Sequence, residues 1–242
     1  MNKSINVSIL LKNYMKKYIY FFALILVTFL LQAHTSHYKG ILKIEMEVFR
    51  NDKKIGYSNY FFEHDDDLMT VKNYTQFEVK LFGAKIFSIS SEAIEKYKDD
   101  NLISFKSTTF QNNKEKYVNL TYDESKDKFI IKGSSYTGEA NINCVIGNWW
   151  NHKILKASKQ ISPLSGSIKG QTVKFIGNEN ITLYGKNHFV AHYKLKSNDE
   201  KLADDKKLDF DIWLDKKNNL ILKVKYKRMG EWEYRLKEYK IN

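Results

Sequence analysis

Between residues 207 and 241 hydrophobic side chains recur at every second position, and that period restricts the fold more than any other feature of the chain. Leu208, Phe210, Ile212 and Leu214 alternate with Asp209, Asp211, Trp213 and Asp215, which puts one set on each face of an extended strand. After the polar turn at residues 216–219, Leu220, Leu222, Val224 and Tyr226 oppose Ile221, Lys223, Lys225 and Lys227. A second turn at Met229-Gly230 leads into Trp232, Tyr234, Leu236 and Tyr239. Three antiparallel strands joined by short loops follow from this spacing.

The same grammar runs through the rest of the chain. Turn-forming residues at 51–54, 64–67, 83–84, 99–101, 112–114 and 124–127 separate alternating segments, the rhythm of an antiparallel meander. No long helical pattern intervenes, which argues against a parallel sheet. Residues 91–96 (SEAIEK) could form a helical turn in isolation, but their place in the series predicts strand. The rhythm breaks at residues 141–159 (NINCVIGNWWNHKILKASK), where Trp149, Trp150, Ile154 and Leu155 have helix-compatible spacing. Strands resume at 172–176, 181–184 and 188–195, with Gly170, Gly177 and Gly185 marking turns or bulges. The expected fold is all-β: a single antiparallel meander curled into a half-barrel or incomplete barrel, with one short helical insertion.

Residues 1–33 are set apart from that domain. Met15-Lys16-Lys17 precedes the apolar run YIYFFALILVTFLL at 18–31, with Ala33 following, which has the layout of a secretory signal peptide. The run is shorter than the ~20 residues a spanning helix needs, so cleavage near His34 is expected over a retained membrane segment. Residues 34–242 are then a single β-rich exported domain, periplasmic or in the cell envelope. Cys144 is the only cysteine, so no internal disulfide can form and stability rests on packing.

The whole chain carries a net charge of +12, and residues 1–33 hold four lysines and no acid, leaving 36 basic and 28 acidic residues beyond them. Only Arg50, Arg228 and Arg235 are arginines, whereas phosphate and base-edge recognition leans on arginine forks. No nucleic-acid partner is expected. Membrane contact is expected only through the N-terminal segment or through weak attraction of the scattered lysines to anionic surfaces.

Catalytic constellations are weak. There is no G-x-S-x-G turn, and Ser165-Gly166-Ser167 is an ordinary loop. His188 and His192 have metal-like spacing on a helix, but on a strand they lie about 13 Å apart. The three carboxylates at 65–67 lack the spaced ligands and glycine of a calcium loop. Asp209 and Asp211 would stand about 6.6 Å apart on one strand face, a glycosidase-compatible separation that solvent-facing charges explain more simply. No catalytic residue, metal ligand or cofactor is expected, and the chain is read as a non-enzyme.

Four segments carry a resemblance: EVFRNDKKIGY at 47–57, VKLFGAKIF at 79–87, WWN at 149–151 and FDIWLDKKNNLILKVKYK at 210–227. In that order they resemble bacterial exported proteins of domain of unknown function 6134, a relative of the broader family numbered 3108. The resemblance implies a secreted or periplasmic β-rich domain and transfers no catalytic residue. Family members usually carry Tyr after the Trp of the fourth segment, where this chain has Leu214.

Aromatic residues fall on both parities of the early strands, among them Tyr57, Tyr60, Phe61, Phe62, Tyr74, Phe77 and Phe87. A sheet apolar on both faces needs both faces covered. The functional expectation is a concave side that binds a lipid or another amphiphile of the envelope, lined by Trp149, Trp150, Trp213, Tyr57, Phe61 and Phe87, with Trp149-Trp150 as lid. The alternative is a structural or interaction module with an envelope protein as partner and a core filled by its own side chains.

Overall fold

Turn chemistry sets the strand spacing. At Asn51-Asp52, Phe82-Gly83, Asp99-Asp100, Asn112-Asn113 and Tyr184-Gly185 both central residues have positive φ, the type I′ geometry whose twist matches that of the flanking strands. Asn and Asp supply most of these positions because they tolerate left-handed backbone; Phe82 and Tyr184 rely on a following glycine. The computed structural model describes residues 38, 40–204 and 206–242; the expected signal segment and its cleavage site lie outside the described residues.

Residues 40–242 form one unit. Its first eight strands are β1 (Ile41–Arg50), β2 (Lys53–Asp65), β3 (Leu68–Leu81), β4 (Ala84–Lys98), β5 (Asn101–Gln111), β6 (Lys114–Asp123), β7 (Lys128–Gly133) and β8 (Thr137–Asn141). Two short strands, β9 (Val145–Ile146) and β10 (Lys159–Ile161), flank a 3-10 turn at His152–Leu155. The last five are β11 (Ile168–Leu183), β12 (Lys186–Ser197), β13 (Asp209–Asp215), β14 (Ile221–Lys227) and β15 (Glu231–Ile241). The helical insertion expected at 141–159 is that single 3-10 turn with strand on either side, capped by Asn151, whose side chain accepts from the Lys153 amide.

All 15 strands belong to one sheet, ordered β8-β7-β6-β5-β4-β3-β2-β1-β15-β14-β13-β12-β11-β10-β9. Every pairing is antiparallel except β9 with β10. The first and last strands therefore meet in the middle of the sheet, where Val48 faces Tyr234 and Met46 faces Leu236. The two sheet edges, β8 and β9, are separated in sequence only by residues 142–144. Fifteen strands laid flat would span roughly 65 Å at ~4.8 Å each, whereas three linking residues reach no more than ~15 Å. The sheet must curl until its edges approach, yet β8 and β9 do not pair, so the result is an incomplete barrel.

The inner face carries the core. Met46, Val48, Val71, Phe105, Val118, Leu120, Ile131, Leu195, Ile212 and Val224 are all essentially solvent-free. Outer-face aromatics are not covered as their number in the sequence had suggested: Tyr57, Tyr74 and Phe110 stay exposed, and Phe61 packs edge-on against Tyr74 beneath Lys43. Residues 172–176 and 181–184, read as separate strands, form the single long β11, with Gly177 at a register shift against β12. A bulge at Ile176 takes up the extra residue without ending the strand.

Two glycines separate packing from permissiveness. A Cβ on Gly56 would lie 2.0 Å from the Gln76 carbonyl oxygen and 2.5 Å from Phe77 Cβ, whereas one on Gly177 would meet nothing within 4 Å. Gly56→Ala is expected to lower the free energy of unfolding by about 1–3 kcal/mol. Gly177→Ala is expected to be neutral or to raise it by about 0.5 kcal/mol. Urea denaturation of the two variants checks both values.

Candidate functional site

Strand parity brings a polar row into an otherwise apolar concave face. Ser58 on β2, Asn73 and Thr75 on β3, Ser91 on β4, and Ser107 and Thr109 on β5 share the inward parity of Tyr60, Val71, Phe77, Ile89 and Phe105. They satisfy one another across the strands. Ser58 Oγ lies 2.7 Å from Thr75 Oγ1, Asn73 Nδ2 donates to Ser58 Oγ at 3.2 Å, and Ser91 Oγ lies 2.6 Å from Thr109 Oγ1. Unpaired hydroxyls at such depth would each cost about 1–3 kcal/mol.

Glu95 extends this row and is its one charged member. In the ladder it stands between Val71 on β3 and Phe105 on β5, and it is only 2% exposed. Its Oε1 accepts from Asn148 Nδ2 at 2.7 Å and Trp150 Nε1 at 2.9 Å; its Oε2 accepts from the Tyr97 hydroxyl at 2.6 Å. Burial pushes its pKa up to about 7 from 4.5, against the opposing pull of the Tyr97, Trp150 and Asn148 hydrogen bonds. Burial likewise pushes the neighbouring Tyr60 phenol up to about 12.

Two of the Glu95 donors come from the segment between β8 and β11, which folds over the concave face as a plug. Trp150 packs edge-on against Phe62 and Tyr97, at 5.3 and 5.6 Å between ring centroids. The next side chain back, Trp149, turns the other way to Phe210 at 5.0 Å and Tyr234 at 6.2 Å. The adjacent tryptophans thus hold the plug to both halves of the sheet. Ser107 donates to the Pro163 carbonyl at 2.6 Å, and Gln171 Nε2 donates to the Ile154 and Ala157 carbonyls at 2.8 and 2.9 Å.

Plug and sheet border a half-open cavity of about 800 Å³. One wall is the polar row with Glu95; the other is aromatic, with Trp149, Phe210, Tyr226 and Tyr234. The rim is charged, where Lys196, Lys207 and Arg228 stand beside Asp199, Glu200 and Asp209.

Residues 46–237 match the family described as Domain of unknown function (DUF6134). The chain belongs to that family. Among solved structures it is similar to a β-barrel-like protein of domain of unknown function DUF1849 from Brucella abortus, with a TM-score of 0.55 at 11% identity over 84% of this chain and 99% of that one. It also aligns with a Bacteroides fragilis protein described as exported with a YmcC-like fold, at a TM-score of 0.35 and 10% identity over the same shares. No curated protein matches the sequence. Leu214 lies buried in one cluster with Leu195, Leu208 and Ile212, a site where a phenol would need a hydrogen-bond partner.

Of the residues singled out in the sequence, Trp149 lines the cavity and Trp150 sits behind Glu95, fully buried. Phe87 faces inward but belongs to a cluster with Phe77 and Trp232. Tyr57 and Phe61 have the opposite parity to Ser58 and Tyr60 and face outward. Trp213 is also outward: it stacks on His192 at 4.6 Å and donates to Glu179 at 2.6 Å. In the same outer patch His192 Nε2 meets Asp211 at 2.9 Å and Nδ1 meets Glu179 at 3.2 Å. Because opposite ring nitrogens face the two carboxylates, the three cannot converge on one metal ion. Lys194 bridges Asp209 and Asp211 at 2.5 and 2.8 Å. Burial works to raise the Asp211 pKa, but hydrogen bonds from Lys194 and His192 outweigh it and leave it lowered.

Sequence reasoning missed Glu95 and the hydroxyl row. In the run Ser91-Glu92-Ala93-Ile94-Glu95 each parity holds both an apolar and an acidic residue, so hydropathy does not say which glutamate points inward. Counting back from the Asp99-Asp100 turn would pair Ser91 with Thr108; a bulge between Lys96 and Tyr97, which the sequence does not announce, lines it up with Thr109 instead.

The Glu95 environment fixes a pH dependence. Its carboxyl holds a proton more tightly folded than unfolded, so its contribution is complete below about pH 4.5 and is lost as pH rises through about 7. The loss amounts to about 3 kcal/mol. Glu95→Gln removes this slope and leaves the variant more stable than the native chain at pH 8, as denaturant titrations between pH 5 and 8 would show.

Proposed function

We propose that the domain is a non-enzymatic, exported binding protein that takes an apolar or amphiphilic envelope component into its concave cavity. The observation that carries this reading is the cavity itself: about 800 Å³ falls within the ~300–1,000 Å³ typical of ligand sites. A filled interior, which a purely structural or protein-interaction module would have, leaves no such space. The division of the lining suits an amphiphile, since aromatic rings exclude water along one side while hydroxyls and amides offer hydrogen bonds along the other. A non-catalytic role is supported by the state of the paired aspartates, which Lys194 already engages. Export is supported by the basic and apolar N-terminal sequence.

The test is binding of the neutral fluorescent probe N-phenyl-1-naphthylamine, together with native mass spectrometry of the chain purified from its own envelope. A blue-shifted, saturable signal and an extractable lipid-sized adduct are expected. Thr75→Trp, which places an indole inside the cavity, is expected to weaken probe binding at least tenfold, whereas Trp213→Ala on the outer face changes it less than twofold. A probe signal indifferent to Thr75→Trp, or no signal and a bare mass, would favour the filled-core alternative.

A further inference from the structure

We infer that Glu95 is the anchor for a cationic head group, so that the cavity selects an amphiphile carrying a protonated amine. This rests on the cavity-binding reading and adds a charge to the ligand. Glu95 lines the cavity, and each group that hydrogen-bonds it is neutral: an amide, an indole and a phenol. Among the described residues it forms no ion pair; the lysines and arginine that border the cavity stand at the charged rim, interleaved with acids. A carboxylate offers about four acceptor positions. Among the described residues Oε1 accepts two hydrogen bonds and Oε2 one, so Oε2 keeps an acceptor position.

The energetic case follows from what each head group would meet. A buried carboxylate without a cation is costly, and neutral donors offset only part of that cost. A ligand ammonium would supply the missing charge at short range in a low-dielectric site. A carboxylate or phosphate ligand would add like charge next to Glu95. A neutral head group would leave the charge as it stands. The rings of Trp149, Tyr226 and Tyr234 around the same space also favour an ammonium, through the negative faces of their π systems.

Among the described residues, the phenol of Tyr60 near Glu95 is pushed up to about 12 by burial and does not compete for its proton. Val71 and Phe105 flank it, Asn148 and Trp150 cover it from the plug, and the nearby phenols are Tyr97 on its own strand and Tyr60 on β2. Amine binding is therefore linked to loss of the Glu95 proton.

The experiment compares dodecylamine, dodecanol and dodecanoate, probes of one chain length, by displacement of N-phenyl-1-naphthylamine. At pH 8 dodecylamine is expected to bind at least tenfold tighter than dodecanol, with dodecanoate weakest. For the native chain that preference should shrink at least tenfold at pH 5.5, where Glu95 carries its proton, a readout that needs no variant. In Glu95→Gln the amine and alcohol affinities should come within threefold of each other at pH 8. Propylamine should not compete, which separates an amine-bearing amphiphile from a small free amine. Equal amine and alcohol binding by the native chain, tighter dodecanoate, or an amine preference that survives Glu95→Gln would each overturn the assignment while leaving the cavity reading intact. Displacement by none of the three twelve-carbon probes would remove both.

Discussion

The position of the plug depends on one buried carboxylate. Glu95 stands between Val71 and Phe105, where an isolated charge would be strongly disfavoured, and the indole of Trp150 and the amide of Asn148 reach it from the plug. Satisfying the carboxylate and seating the plug are thus one event. With Trp150 fixed against Phe62 and Tyr97, its neighbour Trp149 is carried across to Phe210 and Tyr234 on the other half of the sheet. The space left between these two attachments is the cavity.

The architecture was legible because it rests on two short-range rules. Period-two hydropathy and left-handed turn residues such as Asn112-Asn113 specify each hairpin locally, and curling lets a run of hairpins cover its own apolar face. The site was less legible because it depends on which parity faces in and on which residues become neighbours across strands. Trp213 shows the difficulty. It alternates with Ile212 and Leu214, so its own strand assigns it to the outer face, yet its size suggested a binding role; on that face it stacks on His192. Trp149 and Trp150 stood out in sequence because they interrupt the strand rhythm. Their opposite destinations follow from tertiary contacts that no local pattern encodes.

Inner and outer faces of the sheet solve the same electrostatic problem differently. Outside, Asp211 receives Lys194 and His192 and is held as a carboxylate in a half-hydrated network. Inside, Glu95 receives only neutral donors among the described residues, which offset part of the burial that favours its protonated form. The contrast lies between groups of similar chemistry on one sheet, and it arises from burial and from the lack, among the described residues, of a cation paired with Glu95.

The meeting of β1 and β15 at the centre of the sheet makes the molecule a rearranged ring of hairpins. Gly40 accepts a hydrogen bond from the Asn242 amide at 2.8 Å, while the two sheet edges are joined through residues 142–144. A chain opened between β8 and β9 and joined through Gly40 and Asn242 would lay the same strands down in unbroken spatial order. In the native order β1 instead presents one unsatisfied edge until the final 11-residue strand arrives, and the contact that completes the sheet spans nearly the whole domain. Closure across so long a loop is entropically slow, so a chain of this design holds its central seam open while its local hairpins form and seals it late.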